Sequence, residues 1–485
     1  MKIKPALFFA HRWLGIGMCL LFALWFASGI VMMYVEYPEL TEEERIENLS
    51  SLEFSQVTIE PSTALGLVNA DSELTNLKLI NILGRPAYEF GFISDFQSIV
   101  FADNGEIFSG LGKASALDAV RHSGFFHPDY PLEYDALIDI DQWTLSTGLN
   151  SSRPLHRIKL NDEAGTIVYV SEKSGQLVRD TNRREKFWNW LGSTIHWIYP
   201  TQLRRDVDLW IQVIIVLSLL GIFSVITGGV IGFMRIRISK PYRGTNVSPY
   251  HGIMKLHHIF GLLSLIFVST FMFSGLMSMA PWGIFDSNNS QSIQVERYSG
   301  FRSLNRNELP NSTTMQSQAG IKELHWQSIA GEPYLVSVRS PNEISVQFNN
   351  SSSKNHSMTL LGKVAESIPN LLPDSKLLSL DLVQTYDDYY YSRHNRYRPL
   401  PVYRAKFDDD EGTWYHIYLN SGTVVNRLTS ANRTERWIYN GLHSLDFRLL
   451  LEHRPLWDIV VISLSLLGLL FSITSIIIGW RRLVQ

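Results

Sequence analysis

Apolar positions gather in four long runs, Phe8 to Val35, Leu209 to Phe233, Ile259 to Pro281 and Leu456 to Trp480, separated by two long polar stretches and one short one. Each run is long enough to cross a hydrocarbon core of roughly 30 Å as a helix. Charge enters them only at Arg12 and Asp458, near their ends. The pattern predicts a polytopic α-helical membrane protein. Lys2 and Lys4 precede the first run, but that run is too long for a signal-peptide core and lacks a small-x-small cleavage site, so it reads as a retained helix.

Lysine and arginine gather at the amino terminus, at Arg235, Arg237, Lys240, Arg243 and Lys255, and at Arg481 and Arg482. The positive-inside rule then puts both termini and the short loop in the cytoplasm and the two long stretches outside. The expected order is a first transmembrane helix in residues 1–35, an outer domain with an interfacial helix in 36–208, and a second helix in 209–235. A cytoplasmic loop in 236–255, a third helix in 256–282, a second outer domain with an interfacial helix in 283–455, and a fourth helix with a short tail in 456–485 complete it. Each outer stretch is long enough to build its own core.

The halves repeat. Arg157 to Arg235 matches Arg404 to Arg482 without a gap at an offset of 247: Gly165 and Gly412 take one turn position, Gly175 and Gly422 another, and Trp210, Gly221, Thr227 and Gly232 match Trp457, Gly468, Thr474 and Gly479. The first spans align at 246, pairing His11, Gly15, Ser28 and Gly29 with His257, Gly261, Ser274 and Gly275. Two two-helix halves in one orientation predict a four-helix bundle from parallel repeats, with a pseudo-dyad along the membrane normal. Each outer stretch ends in alternating strands and a hairpin that feeds a helix, as an α+β domain would.

Bulk composition narrows the partners. With 485 residues, 45% hydrophobic, 18% charged and a net charge of −3, the chain shows no bulk signature for nucleic acid or an acidic partner. Membrane lipid is the surrounding it demands. Cys19 is the one cysteine, which excludes disulfides, thiolate clusters and covalent two-cysteine haem attachment. Nucleophile-elbow, Walker, dinucleotide and H-E-x-x-H patterns are absent from the sequence.

Four histidines survive the internal superposition, His11 with His257 and His196 with His443. A span of roughly 30 Å separates the two within one half, so only cross-half pairs can share a metal, one inner and one outer. Two imidazoles on opposite faces of a porphyrin leave no open coordination position, and such a site carries electrons. The expectation is a haem held by each pair. His258 stands beside His257 and is an alternative inner ligand or a propionate contact, since one step turns it about 100° around the helix.

Glycine supplies room for a porphyrin: Gly15 and Gly261 follow the inner histidines by four residues. Gly29 and Gly275 follow by eighteen residues, roughly 27 Å higher on the same face. The outer histidines follow aromatic stretches beginning at Phe187 and Trp437, with Arg183, Arg184, Arg433 and Arg436 near enough to pair with propionates or to anchor the surface. Trp25, Phe26 and Phe271 are core packing or lie between the haems. A zinc site at the outer histidines would need further ligands, and no carboxylate at ligand spacing accompanies both copies.

The stretches from Arg153-Pro154-Leu155 to Ser174-Gly175 and from Arg398-Pro399-Leu400 to Ser421-Gly422 resemble PepSY domains. Joined to a span opening His11-Arg12-Trp13-Leu14-Gly15 and to the histidines ahead of the second spans, they resemble the PepSY-associated transmembrane family, which includes ferric-siderophore reductases of the bacterial inner membrane. That resemblance implies an oxidoreductase with two b-type haems on His11, His257, His196 and His443. It implies reduction of a ferric siderophore or other ferric chelate in the periplasm, releasing ferrous iron. The electron donor is then a separate protein, a reduced cofactor at the inner face, or a quinol.

The chelate is expected between the two outer domains, and the tract around Tyr389, Tyr390, Arg393 and Arg396 is a candidate surface for it. Two other classes compete: a PepSY-type protein that restrains an envelope peptidase, and a transporter, since parallel repeats also build transporters.

Overall fold

The computed structural model describes residues 3–68, 74–92, 97–242, 245–285, 291–300, 319–348, 356–392 and 397–485. They form two compact units, one of Met1–Pro38, Arg184–Asp286 and Ala431–Gln485, the other of Glu39–Arg183 and Ser287–Ser430.

The first unit holds four helices long and apolar enough to cross a membrane: α1 (Ile3–Met32), α2 (Val207–Arg235), α3 (Gly252–Met277) and α4 (Leu456–Val484). Their length and apolar composition are those a span requires. Asp206 caps α2 by accepting from the Leu209 N–H, satisfying an otherwise orphaned donor. The four pack as a ring in which α1 and α3 each touch both α2 and α4.

Small residues permit the approach. Ser218, Gly221, Ser224, Gly229 and Gly232 are the buried small side of α2, and Ser465, Gly468, Ser472 and Gly479 that of α4. A Cβ on Gly468 would strike the Phe26 ring at 2.5 Å, and one on Gly221 would strike Met272 at 2.3 Å. Large residues of α1 and α3 thus fill the notches left by matched glycines. Near the chain ends, Gly228 lies against His11 and Gly479 against Ile16, so the start of α1 meets the ends of α2 and α4.

The second unit contains three antiparallel sheets. Strands β1 (Leu74–Ile82), β2 (Arg85–Phe92) and β3 (Gln97–Phe101) come first, followed by β4 (Glu133–Ile138), β5 (Leu155–Lys159), β6 (Ile167–Ser171) and β7 (Leu177–Thr181). The second long stretch adds β8 (Glu323–Ile329), β9 (Glu332–Ser340), β10 (Glu343–Phe348), β11 (Leu377–Val383), β12 (Val402–Phe407), β13 (Trp414–Tyr418) and β14 (Val424–Leu428). The sheets run β4-β5-β6-β7, β11-β12-β13-β14 and β10-β9-β8-β1-β2-β3.

In the four-stranded sheets β5–β7 and β12–β14 fall at the repeated segments, and β4 and β11, which precede those segments, complete each sheet. Each ends in a hairpin that feeds a helix, at Arg183–Asn189 and Ser430–Glu435. The turns before β6 and β13 need a left-handed residue, supplied by Gly165 at φ 65° and Gly412 at φ 55°. Helix Lys113–Arg121 covers the first sheet with Ala116, Ala119 and Val120, and helix His356–Ser367 covers the second with Leu360 and Val364.

The six-stranded sheet corrects the expectation of two outer domains with separate cores. Strands β1 and β8, from different stretches, pair through Leu77 with Trp326, Lys78 with His325 and Leu79 with Leu324. Leu77, Leu79, Tyr88 and Phe90 share one core with Leu324, Trp326 and Leu335. Unpaired, β1 and β8 would each expose a row of backbone donors and acceptors beside an apolar face, and joining them removes both edges. Arg45 reinforces the seam by bonding Glu323 at 2.6 Å.

Candidate functional site

The bundle brings the four repeated histidines together in two cross-half pairs. His11 of α1 and His257 of α3 lie with ring centroids 6.4 Å apart. His196 and His443 come just after π-helical turns at Trp190–Thr194 and Arg436–Gly441, and their centroids are 6.0 Å apart. A π-turn inserts one residue into a helix and re-aims the side chains beyond it, which is why such turns recur at functional positions.

The separation is one that a shared ion can bridge. Metal–imidazole bonds of about 2 Å on opposite sides of one ion place the two ring centroids about 6 Å apart. Both pairs have that spacing without a steric clash between the rings.

The hydrogen bonds around Nδ1 fix which nitrogen is available. His196 Nδ1 lies 3.1 Å from the Trp25 carbonyl and 3.1 Å from Ser28 Oγ. His443 Nδ1 lies 3.3 Å from the Phe271 carbonyl and 3.0 Å from Ser274 Oγ. A carbonyl only accepts, so Nδ1 carries the hydrogen. Ser28 Oγ donates to the Leu24 carbonyl at 2.6 Å, which leaves its lone pairs to face the imidazole.

At the other pair, His11 Nδ1 donates to the Ser224 carbonyl at 3.2 Å. His257 Nδ1 faces Thr474 Oγ1 and Ser475 Oγ, each at 3.2 Å. Both hydroxyls donate to the Phe471 carbonyl, so they accept from Nδ1–H. Among the described residues no hydrogen bond reaches Nε2 of His11, His196 or His257. A ring nitrogen anchored by its N–H to a carbonyl or hydroxyl, with the other left as a lone pair, is the arrangement of a metal-ligating histidine.

Among the described residues no three His, Cys, Asp or Glu side chains converge as a metal site. Each pair therefore offers two ligands, too few for the four-coordinate shell of zinc. A porphyrin, which brings four nitrogens of its own, matches a two-imidazole donor set.

The glycines behave unequally. A Cβ on Gly29 would meet His196 Cε1 at 3.4 Å, and one on Gly275 would meet His443 Cε1 at 3.6 Å, so both lie at the level of the outer pair, as expected. Gly15 has open space beside it, whereas Gly261 faces Phe471 at 3.2 Å. Phe471 stacks on His257 at 5.0 Å and 19°. The two matched glycines thus have unequal surroundings, and Phe471 stands where the first half has Ser224.

His258 is turned away from the pair. Its Nδ1 bonds Ser248 at 2.8 Å and its Nε2 bonds the Gly232 carbonyl at 3.0 Å, so both nitrogens are occupied in tying the α2–α3 loop to the bundle.

Between the pairs lies an apolar layer of Met18, Phe22, Phe26, Phe267, Val268 and Met272, with Trp25 and Phe271 packed against it. Trp25 also donates its indole N–H to the His196 carbonyl at 2.9 Å, and Phe271 lies 5.7 Å from His443. These aromatics pack and touch the outer histidines at once. Arg436 turns inward to the Asp446 carbonyl at 2.6 Å, and Arg183 folds against the Gly165 turn.

The candidate substrate tract needs correction at Tyr390, which is fully buried and stacked on His416 at 4.6 Å. Its ring completes the core beside the Arg404–Asp387 ion pair of 2.7 Å. Burial and the neighbouring Arg404 push His416 down to about 3, so the ring Tyr390 covers is neutral. Tyr389 is half-buried against Trp414 at 5.2 Å, while Arg393 and Arg396 lie outside the described residues.

Sequence reasoning does not single out the hydroxyl partners Ser28, Ser274 and Thr474, or Thr227, whose Oγ1 lies 3.4 Å from His11 Nδ1, as site residues, although each occupies a repeated position. Position in the repeat is their signal. The chain belongs to the family of the PepSY-associated TM region, whose model matches residues 8–482. No match to a curated protein was found.

Proposed function

We propose that this protein conducts electrons across a bacterial inner membrane through two b-type haems and reduces a ferric siderophore or other ferric chelate, releasing Fe(II). His11 and His257 hold the inner haem and His196 and His443 the outer one. The reading rests on one observation above the rest, two imidazole pairs with centroids 6.4 and 6.0 Å apart and their Nδ1 atoms hydrogen-bonded.

When bound, each haem takes up and releases one electron at its iron. The chain's own residues fix the imidazoles and keep water away: carbonyls and hydroxyls lock the tautomers, and the aromatic layer excludes solvent between the pairs. Held by His11 with His257 and by His196 with His443, the haems would supply one-electron transfer and not oxygen binding.

In this reading the bundle is a parallel repeat about a pseudo-dyad, both termini are cytoplasmic and the sheet-bearing unit is periplasmic. Positive charge at both chain ends and in the α2–α3 loop supports that orientation. Electrons enter from a separate donor protein, a reduced cofactor or quinol. Anaerobic dithionite reduction of the purified protein, and then addition of a panel of ferric siderophores, tests the activity. Haem reoxidation with formation of Fe(II) is expected, and reduced haem unmoved by any ferric chelate would overturn the reductase assignment.

A further inference from the structure

Arg204 ends the short helix Thr201–Arg204 and is only 8% exposed. Its guanidinium lies 5.1 Å from the Tyr199 ring and 4.8 Å from that of Trp210. Tyr37 and Trp197 extend the same aromatic wall, with Tyr37 5.6 Å from Tyr199 and Trp197 5.5 Å from it. Arg204 Nε is buried without a hydrogen-bond partner, and among the described residues no carboxylate pairs with the guanidinium. The nearby Asp206 is occupied as the cap of α2.

Aromatic faces attract a guanidinium, but they offer nothing to its in-plane N–H donors. Arginine cannot shed its charge, and with Nε buried only the outer N–H groups are left to meet an anion. The planar fork is shaped for two oxygens of one anion. Its position is also specific: Trp210 donates to the Trp197 carbonyl at 2.9 Å, and Trp197 directly succeeds His196, so the aromatic wall is built onto the turn that carries an outer histidine.

We infer that Arg204 and its aromatic wall form an oxyanion site beside the outer histidine pair, binding a carboxylate or a phosphate. Two molecules in a membrane carry that chemistry to this place, a porphyrin through its propionates and an anionic lipid through its headgroup. The propionate source rests on the haem reading proposed above, and the lipid source does not.

The experiment compares wild-type, Arg204→Gln and Arg204→Lys full-length protein, purified free of haem in a neutral detergent. One arm titrates haemin against haem dimethyl ester, which lacks free carboxylates. The other measures thermal unfolding with phosphatidylglycerol against diacylglycerol, which lacks the phosphate.

If the anion is a propionate, wild type prefers haemin over the ester at one site by about ten-fold or more. Arg204→Gln loses that preference and Arg204→Lys keeps part of it. If it is a lipid phosphate, phosphatidylglycerol alone raises the wild-type midpoint, and Arg204→Gln abolishes the rise. Equal behaviour of wild type and Arg204→Gln in both arms overturns the site. Should Arg204→Gln not fold, wild type that distinguishes neither haemin from its ester nor phosphatidylglycerol from diacylglycerol overturns it as well. A chain that binds no haem sinks the haem reading and leaves the lipid arm to decide Arg204.

Discussion

Ser28 Oγ stands 3.1 Å from Nδ1 of His196 while donating its own hydrogen to the Leu24 carbonyl, so it meets the imidazole as an acceptor. Ser274 does the same work for His443 at 3.0 Å. Loss of such an outer partner typically weakens a ligated group about 10- to 100-fold. Ser28→Ala with Ser274→Ala is expected to lower affinity at the outer haem by that order while leaving the inner haem in place. Haem titration into the apo-protein measures it. Equal loss at both haems would contradict the assignment.

Gly228 faces His11 so closely that a Cβ would sit 2.7 Å from Cε1. Gly228→Ala must push the ring aside, and a ligand displaced by a few tenths of an ångström no longer holds its geometry. We predict loss or high-spin conversion of the inner haem alone. Gly15→Ala, with nothing within 4 Å, is expected to fold and unfold like wild type in the haem-free protein. Spectra and unfolding midpoints of the two variants provide the check.

His257 and His258 part company in the same way. His257→Ala is predicted to abolish the inner haem, whereas His258→Ala keeps it and loosens the loop pinned through Ser248 and Gly232. Proteolysis within 236–255 should accelerate only in the second variant. Retention of the inner haem in His257→Ala with loss in His258→Ala would reverse the assignment.

The seam of the six-stranded sheet carries a pH signature. Burial alone would raise the Glu323 carboxyl, but hydrogen bonds from His325 and Arg45 and the charge of Arg45 hold it well below the usual carboxylate range. The unfolded state then binds the proton more readily, so this contribution is present in full above an unfolded pKa of about 4.3 and is lost as pH falls toward the folded value. Arg45→Met, which leaves a 3% exposed carboxylate without its main partner, is expected to cost about 3 kcal/mol at neutral pH. Glu323→Gln should flatten the acid limb of stability against pH, as measured by thermal unfolding.

Much of this site was legible in the chain because membrane spans and gap-free repeats leave strong periodic marks. His11, His196, His257 and His443, with Gly29 and Gly275, are placed as the repeat predicts. The pairing of β1 with β8 was not legible, since it joins Leu77 to Trp326 across two stretches that share no register. Phe471 was missed for a related reason: a repeat shows what two halves keep, and Phe471 stands where the first half has Ser224. Tyr390 looked like surface within a tyrosine- and arginine-rich tract because only the fold brings His416 beneath it.

The most direct test is the haem content of the purified chain together with its four single histidine variants. Two haems per chain with a six-coordinate, low-spin b-type spectrum are expected. His11→Ala and His257→Ala should each remove one haem, and His196→Ala and His443→Ala the other. A protein that stays colourless after haem is supplied, or one whose haem survives all four substitutions, would contradict the account.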